Sequence, residues 1–485
     1  MPKPSAASIP PAPPFRPGCS TPTSGSRWTW MPCSMPSLSL LGHAPADTLA
    51  RLQDGAEPLP ATADAVILGG GIMGCATALY LARAGLKVVL LEVARIGSQQ
   101  SGRNWGFVRS LCRDPAELPL AGLALSLWPV LQAELGHETG WRQRGCLFIA
   151  ADDAEQASHA GWLKDAGDRV HDTRLLSAAE VAERFPGLGR PTAGGILAAS
   201  DGQAEPLLAT LAFARAACAA GAVLIEDCGA RAIETAAGRI SGVVTEHGRI
   251  AASTVICTAG ARSHRLLAGL IPALPQKTVR STVALTAPMA DLDLPCFVGA
   301  GLGLRQRPDG SCIIATDGGT DVDLTLDSFR AAGFFLRELI QRRRAFSLKL
   351  GRPFADDLIE RLTEPATTRT LRPRAPDIPA NPKRVSDAAR RFATLFPAAG
   401  TPPIVKSWAG AIDVMPDALP VIDTPAATPG LLIATGFSGH GFGLGPAVGR
   451  VLADLALGRP APVDITPFAA DRFATGRWRR PYGGI

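Results

Sequence analysis

Tyrosine is nearly absent: Tyr80 and Tyr482 are the only two in 485 residues. A pocket lined by several phenol hydroxyls is therefore excluded, and any functional site must draw on other groups. The ten cysteines lie at positions 19, 33, 75, 112, 146, 218, 228, 257, 296 and 312, and none forms a C-x-x-C pair. Neither a zinc site nor a redox dithiol fits that spacing. Cys75, Cys257 and Cys312 sit inside apolar runs, where a free thiol behaves as a small hydrophobe. That usage suits a reducing compartment, so a cytoplasmic protein, at most peripheral to a membrane, is expected. No stretch of 18 or more apolar residues occurs, so no transmembrane segment is expected. Charged residues make up 19% of the chain, and the net charge of +6 is spread over many arginines. The longest basic run, Gln341-Arg342-Arg343-Arg344, fits one solvated helix face, and nucleic acid is not implied as a partner.

What is present points first to organisation. At this length two domains or one large composite unit are expected. Residues 1–60 are rich in Pro, Ser and Thr, lack periodicity and read as a disordered extension. Whether they belong to the native protein, or translation starts at Met31 or Met35, stays open. Ala65 to Leu68 and Lys87 to Leu91 are short strands apolar on both faces, and Ile72 to Ala84 between them has helical spacing. Helices are also expected at Glu117 to Leu135, Ser177 to Phe185, 206–220, Ser328 to Arg344 and Ala447 to Ala456. Strands are expected at Gly145 to Ala150, Val223 to Glu226, Arg239 to Glu246, Thr254 to Thr258, Thr278 to Thr286, Ser311 to Ala315 and Leu431 to Ala434. The order predicts an α/β fold in which a nucleotide domain, split into three segments, is interleaved with a second domain.

Gly69-Gly70-Gly71-Ile72-Met73-Gly74 is a G-x-G-x-x-G run directly between strand and helix. Gly69 permits a tight turn, Gly71 lets the backbone approach a pyrophosphate, and Gly74 allows close helix–sheet packing. The helix N-terminus, opening at Ile72 and Met73, faces the phosphate charge. Glu92 ends the second strand, 18 residues after Gly74, where a carboxylate can accept from an adenosine ribose hydroxyl. An acid there argues against a 2′-phosphate, and so against NADP. The motif alone does not separate FAD from NAD.

Two further segments do. Gly97 to Gly106 is small and polar and contains Ser101, Arg103, Asn104 and Trp105. Gly436-Phe437-Ser438-Gly439-His440-Gly441-Phe442-Gly443-Leu444-Gly445-Pro446 holds five glycines in ten residues, read here as a glycine loop that leads into a helix. With these segments the chain resembles the D-amino acid oxidase superfamily of flavoenzymes, which includes glycine oxidase, sarcosine oxidase and D-amino acid dehydrogenase. Trp408-Ala409-Gly410, the stretch Met415 to Ile422, Thr258 to Ala261 and Asp201 to Pro206 add to the resemblance, which covers about 64–473.

The resemblance implies a Rossmann-like FAD-binding domain (61–115, 201–270, 405–470) and an α+β substrate domain with a mixed sheet (116–200, 271–404), followed by a tail, 471–485. It implies that Gly69, Gly71, Ile72, Met73, Gly74, Glu92, Ser101, Arg103, Asn104, Gly106, Gly260, Gly436, Gly439, His440, Gly441, Phe442 and Gly443 contact FAD. The implied reaction is hydride transfer from the carbon next to nitrogen of a small amine or amino acid to flavin N5, leaving an imine, with oxygen or an electron carrier as acceptor. Relatives that hold flavin covalently use a Cys near the W-x-G segment or an early His. Gly410 stands near that Cys position and no His lies between 92 and 110, so non-covalent FAD is expected. A substrate carboxylate calls for an arginine fork. Arg305 is the first candidate, with Arg109 and Arg307 behind it, while His440 and Trp105 are candidates to touch flavin or substrate. An NAD-dependent dehydrogenase, which would leave the second glycine loop idle, and a non-catalytic flavoprotein subunit of a larger complex are the alternatives.

Overall fold

The computed structural model describes Leu52 and residues 58–482, apart from 272–273, 319, 342–345, 373 and 375–376. The expected disordered extension, save Leu52 and 58–60, and the arginine run 342–344 lie outside the described residues. Ala65–Leu68 and Val88–Leu91 pair in parallel at the centre of a six-stranded sheet. The strand order is Val421–Asp423, Leu431–Thr435, Thr254–Cys257, Ala65–Leu68, Val88–Leu91 and Val223–Ile225, all parallel except the first, which is an antiparallel edge.

These strands are apolar throughout because each face meets a separate core. Ala65, Ile67, Val88 and Leu90 point to one core, and Val66, Leu68, Val89 and Leu91 to the other. Each fully buried Val, Ile or Leu contributes roughly 1.5–3 kcal/mol. The first core is closed by the helices Ile72–Arg83, Pro206–Ala219, Leu118–Leu135 and Gly441–Ala456. Leu118–Leu135 is long and apolar enough to cross a membrane by length and composition, although Ser126, Gln132 and Glu134 interrupt its apolar run. Its packing accounts for that composition: Trp128 is fully buried and its indole N–H donates to the Gly443 carbonyl at 2.7 Å.

The second sheet has ten strands and is mixed. Its longest ladder pairs Lys277–Thr286 with Ile404–Val414, antiparallel along nearly the whole length of both. This corrects the expected boundary at 405: residues through Val414 belong to the mixed sheet, and the chain returns to the parallel sheet only at Val421. A strand of eleven residues carries its partner's register with it, which no local signal at residue 405 reveals. Both sheets lie within one unit, 37–485.

Two further expectations change. The helix expected from Ala447 starts at Gly441, so the glycine loop is only five residues long and Gly441, Gly443 and Gly445 are helical. Packing explains them: a Cβ on Gly445 would stand 2.7 Å from Ile72, and one on Gly449 2.4 Å from Ala76. Second, the helix expected from Ser328 starts at Leu326, and Leu326–Gln341 and Arg352–Thr363 leave Phe329, Leu336, Ile340, Ile359 and Leu362 exposed.

The C-terminal segment is anchored rather than loose. Arg472, 5% exposed, donates to both Asp417 oxygens, at 2.7 and 3.2 Å, and to the Leu419 carbonyl at 2.9 Å. Replacing Arg472 with Ala strands the buried Asp417 charge and should cost about 3–5 kcal/mol. A fall in the midpoint of chemical denaturation checks this, and an unchanged midpoint would contradict it.

Candidate active site

A cavity of about 1190 Å³ opens at the carboxyl ends of the parallel strands, lined by Leu68, Leu91 and Ala434 from three of them and by Thr258, the residue after a fourth. It exceeds the roughly 300–1,000 Å³ of an ordinary small-ligand site, and open parallel sheets bind ligands at this edge. Gly69, Gly71, Ile72 and Met73 line it, while Gly74 lies behind the wall. A Cβ on Gly74 would stand 2.0 Å from the Gly69 carbonyl, so packing alone requires glycine there. Gly69 has φ +110°, as the tight turn demands. Glu92 lines the cavity with Oε2 accepting from Gly70 N–H at 2.7 Å and Oε1 from Ala94 N–H at 2.9 Å. Burial pushes its carboxyl up, and those two donors pull it down.

The segment after the second strand crosses over this loop. Ser101 Oγ accepts from Ile72 N–H at 3.0 Å, capping the first helix from 29 residues away. Arg103 is 3% exposed and donates to the Ser98 and Ala409 carbonyls at 3.0 and 3.2 Å, joining the crossing segment to the mixed sheet. Asn104 folds the turn by donating to the Gln100 and Ser101 carbonyls and accepting from Gly106 N–H at 2.8 Å. Trp105 lines the cavity and stands edge-on to Phe107 with ring centroids 5.6 Å apart.

Opposite lie Gly439, His440, Gly441 and Phe442, so a second helix N-terminus faces the same space. Gly436 and Gly443 do not line it, among the described residues; Gly443 packs on Val108 and Phe107 instead. The residue that ties these pieces is Asp413, which sequence reasoning missed. It is 3% exposed and accepts from Gln100 Nε2 at 2.7 Å, Gln276 Nε2 at 3.0 Å and Gly436 N–H at 2.7 Å. Gln276 Nε2 also reaches the carbonyl of Gly260, a cavity residue, at 3.0 Å. No short motif surrounds Asp413; the one available signal is an acid between Ile412 and Val414 near the end of a strand.

The inner wall carries the charges. Arg109 lies over the Phe148 ring, 5.0 Å from its centroid, and both line the cavity. His440 Nδ1 faces the fully buried Glu117 at 3.4 Å, too poorly aligned for a full hydrogen bond. Burial, reinforced by the nearby Arg113 cation, holds the His440 imidazole down to about 4, so it is neutral at physiological pH.

Residues 64–455 match the DAO family of FAD-dependent oxidoreductases. The chain belongs to that family. Sarcosine oxidase subunit beta of Rhizobium meliloti (strain 1021) is 28% identical over 424 residues, covering 85% of this chain and 89% of the relative. N-methyl-L-tryptophan oxidase of Salmonella arizonae (strain ATCC BAA-731 / CDC346-86 / RSK2980) is 26% identical over 423 residues, 85% of this chain and 99% of the relative. Among solved structures, L-amino acid deaminase from Proteus myxofaciens in complex with anthranilate superposes with a TM-score of 0.81 at 27% identity, covering 87% of this chain and 96% of that one.

The wall of this flavoenzyme cavity fits FAD. Two helix N-termini face it, which suits an anion, and the loop between Leu68 and Ile72 consists entirely of glycines.

Arg305, by contrast, is corrected. It is 1% exposed and does not line the cavity. Its Nη1 donates to Glu205 Oε1 at 2.7 Å and its Nε to the Trp105 carbonyl at 2.6 Å. Arg307 is bound to the same Glu205 carboxylate at 3.3 Å. An acid one hundred residues earlier claims both guanidinium groups, leaving Arg109 as the one sequence candidate at the cavity wall.

Asp413→Asn turns an amide nitrogen toward one of three buried donors, and a loss of about 1–3 kcal/mol of stability is expected in chemical denaturation. Equal stability would remove Asp413 from its organising position. Asp201, fully buried, is raised from the ordinary 3.8 to about 6, chiefly by burial. Its folded form holds the proton more tightly, so its contribution to stability falls as pH rises between 3.8 and about 6. Asp201→Asn should flatten the stability profile across that window, and an unchanged slope would refute the assignment.

Proposed function

We propose that the enzyme oxidises the C–N bond of a small amine or amino acid by hydride transfer, with FAD held non-covalently. The observation that carries this reading is the inner wall of the cavity, where a guanidinium, an aromatic ring and a neutral imidazole meet beside a helix N-terminus. The substrates printed in the relatives' names, sarcosine, N-methyl-L-tryptophan and L-amino acids, are all amino acids, and each offers a carboxylate and an amine.

Bound FAD would supply the hydride acceptor for the carbon next to nitrogen. Gly69, Gly71, Ile72 and Met73 would hold the pyrophosphate against the first helix N-terminus, and Glu92 would take an adenosine ribose hydroxyl. Ser101, Arg103, Asn104, Gly106 and Gly260 shape the crossing segment and its support. The N–H groups at Gly439, Gly441 and Phe442 would stabilise negative charge that develops on reduction. Arg109 would grip the substrate carboxylate with its planar fork. His440, neutral, offers the amine a hydrogen bond without repelling an ammonium, and Trp105 closes the wall toward the mixed sheet. Among the described residues no cysteine lines the cavity, which supports the non-covalent reading. Oxygen or an electron carrier completes turnover. Because one relative is named as a subunit, a chain that needs a partner for activity is the second reading.

The test is a visible spectrum of the purified protein before and after anaerobic addition of amines and of D- and L-amino acids. Flavin absorbance that bleaches with one compound class supports the proposal, and protein that takes up no FAD overturns it. Turnover by the isolated chain disposes of the second reading. In Arg109→Gln, loss of a charge-assisted contact worth about 1.5–3 kcal/mol should raise KM roughly 10- to 100-fold with a smaller change in kcat. An unchanged KM would remove Arg109 from the carboxylate site.

A further inference from the structure

Among the cations of the cavity wall that the reaction above does not use, Arg113 is the one on the same turn as Arg109. Arg113 lines the cavity, is 4% exposed, and has no hydrogen-bond acceptor for its Nε or Nη1 among the described residues. Glu117, four residues on, attracts the Arg113 charge without a hydrogen bond to it, and stands 3.4 Å from the neutral His440 Nδ1. Arg109 and Arg113 are presented by the same turn. Asp201 pins that turn by accepting from Ser110 N–H at 2.7 Å, Ser110 Oγ at 2.9 Å and Leu111 N–H at 3.1 Å. Arg113 N–H closes it on the Ser110 carbonyl at 3.2 Å, with Cys112 held at φ +55°. A non-glycine residue in that conformation marks a backbone shaped for a purpose other than local comfort.

Arg109 and Arg113 therefore bring two of the guanidinium groups lining the cavity onto one turn, and among the described residues no carboxylate is hydrogen-bonded to Arg113. Burying an unpaired cation costs several kcal/mol unless an anion completes it. Burial, helped by the Arg109 cation, pulls Arg113 down to about 9, which is still charged at neutral pH.

Resting on the reading of Arg109 as the carboxylate site, we propose that Arg113 reads a second anionic group. The substrate class is then an amine or amino acid with two acidic groups, such as an amino dicarboxylate. Arg109 takes one carboxylate and Arg113 the other, while the amine is left toward His440.

The test is calorimetric titration of the FAD-loaded enzyme with succinate and with butyrate, which have equal chain lengths but two carboxylates and one. Succinate is expected to bind about tenfold more tightly or better, from one added charge-assisted contact. Arg113→Gln should bring succinate to the level of butyrate and leave butyrate unchanged, whereas Arg109→Gln should weaken both. If Arg113→Gln does not fold, Arg113→Lys keeps the charge and should retain a reduced preference for succinate. Equal affinity of the two ligands for the wild type, equal weakening of both by Arg113→Gln, or no binding of either at millimolar concentration overturns the inference. Should flavin be reduced by monocarboxylic amino acids while succinate shows no preference, the inference fails and the oxidoreductase reading stands.

Discussion

The buried carboxylate of Asp413 joins segments that the chain keeps far apart: the crossing segment through Gln100, the start of the mixed-sheet ladder through Gln276, and the glycine loop through Gly436. Each of these segments forms part of the cavity wall or its support. A carboxylate with no exposed surface is unfavourable by itself, and burial does push the group up in spite of its donors. What holds it there is the set of buried donors aimed at it. Without the acid the Gln100 amide and the Gly436 N–H would lose this acceptor, while Gln276 would keep the Gly260 carbonyl and Thr435 Oγ1, so removing the acid carries a cost of its own.

Around that hub two helices are driven together with like poles adjacent. The N-termini of Ile72–Arg83 and Gly441–Ala456 both face the cavity, each carrying roughly half a positive charge. Their approach is possible because Gly445 and Gly449 leave room for Ile72 and Ala76. Two positive ends facing one cavity suit an anionic cofactor, and Ser101 caps one of them from outside the helix by accepting from Ile72 N–H. Packing thus sets the geometry, and the electrostatics of the cavity follow from it.

The Glu205 carboxylate shows how a long-range ion pair can conceal itself. Arg305 follows an apolar run on a strand, and Arg307 comes two residues later at the turn after it, a pattern equally suited to a ligand wall or to an inner support. Only the fold brings Glu205 to them and the Trp105 carbonyl beside them. Their role is to brace the crossing segment from behind. Arg109 and Arg113 occupy the face that Arg305 was expected to occupy, because Asp201 turns their segment inward.

The strand, glycine loop, helix, strand and terminal Glu from Ala65 to Glu92 were legible in the sequence, since each step rests on local rules: double-sided burial, a tight turn and 3.6-residue spacing. The glycine-rich segment near 440 was legible as a place of close approach, but not as a helix, because glycine count signals proximity without saying to what. Family membership was likewise carried by these two motifs. The tertiary structure alone decided which charges face the cavity and which brace it. Arg305 and Arg113 are indistinguishable as letters, and their fates differ because Glu205 hydrogen-bonds one while no acid among the described residues hydrogen-bonds the other. Partners separated by one hundred to three hundred residues leave no spacing signal, so the chemistry of this site is set by contacts that exist only once the chain has folded.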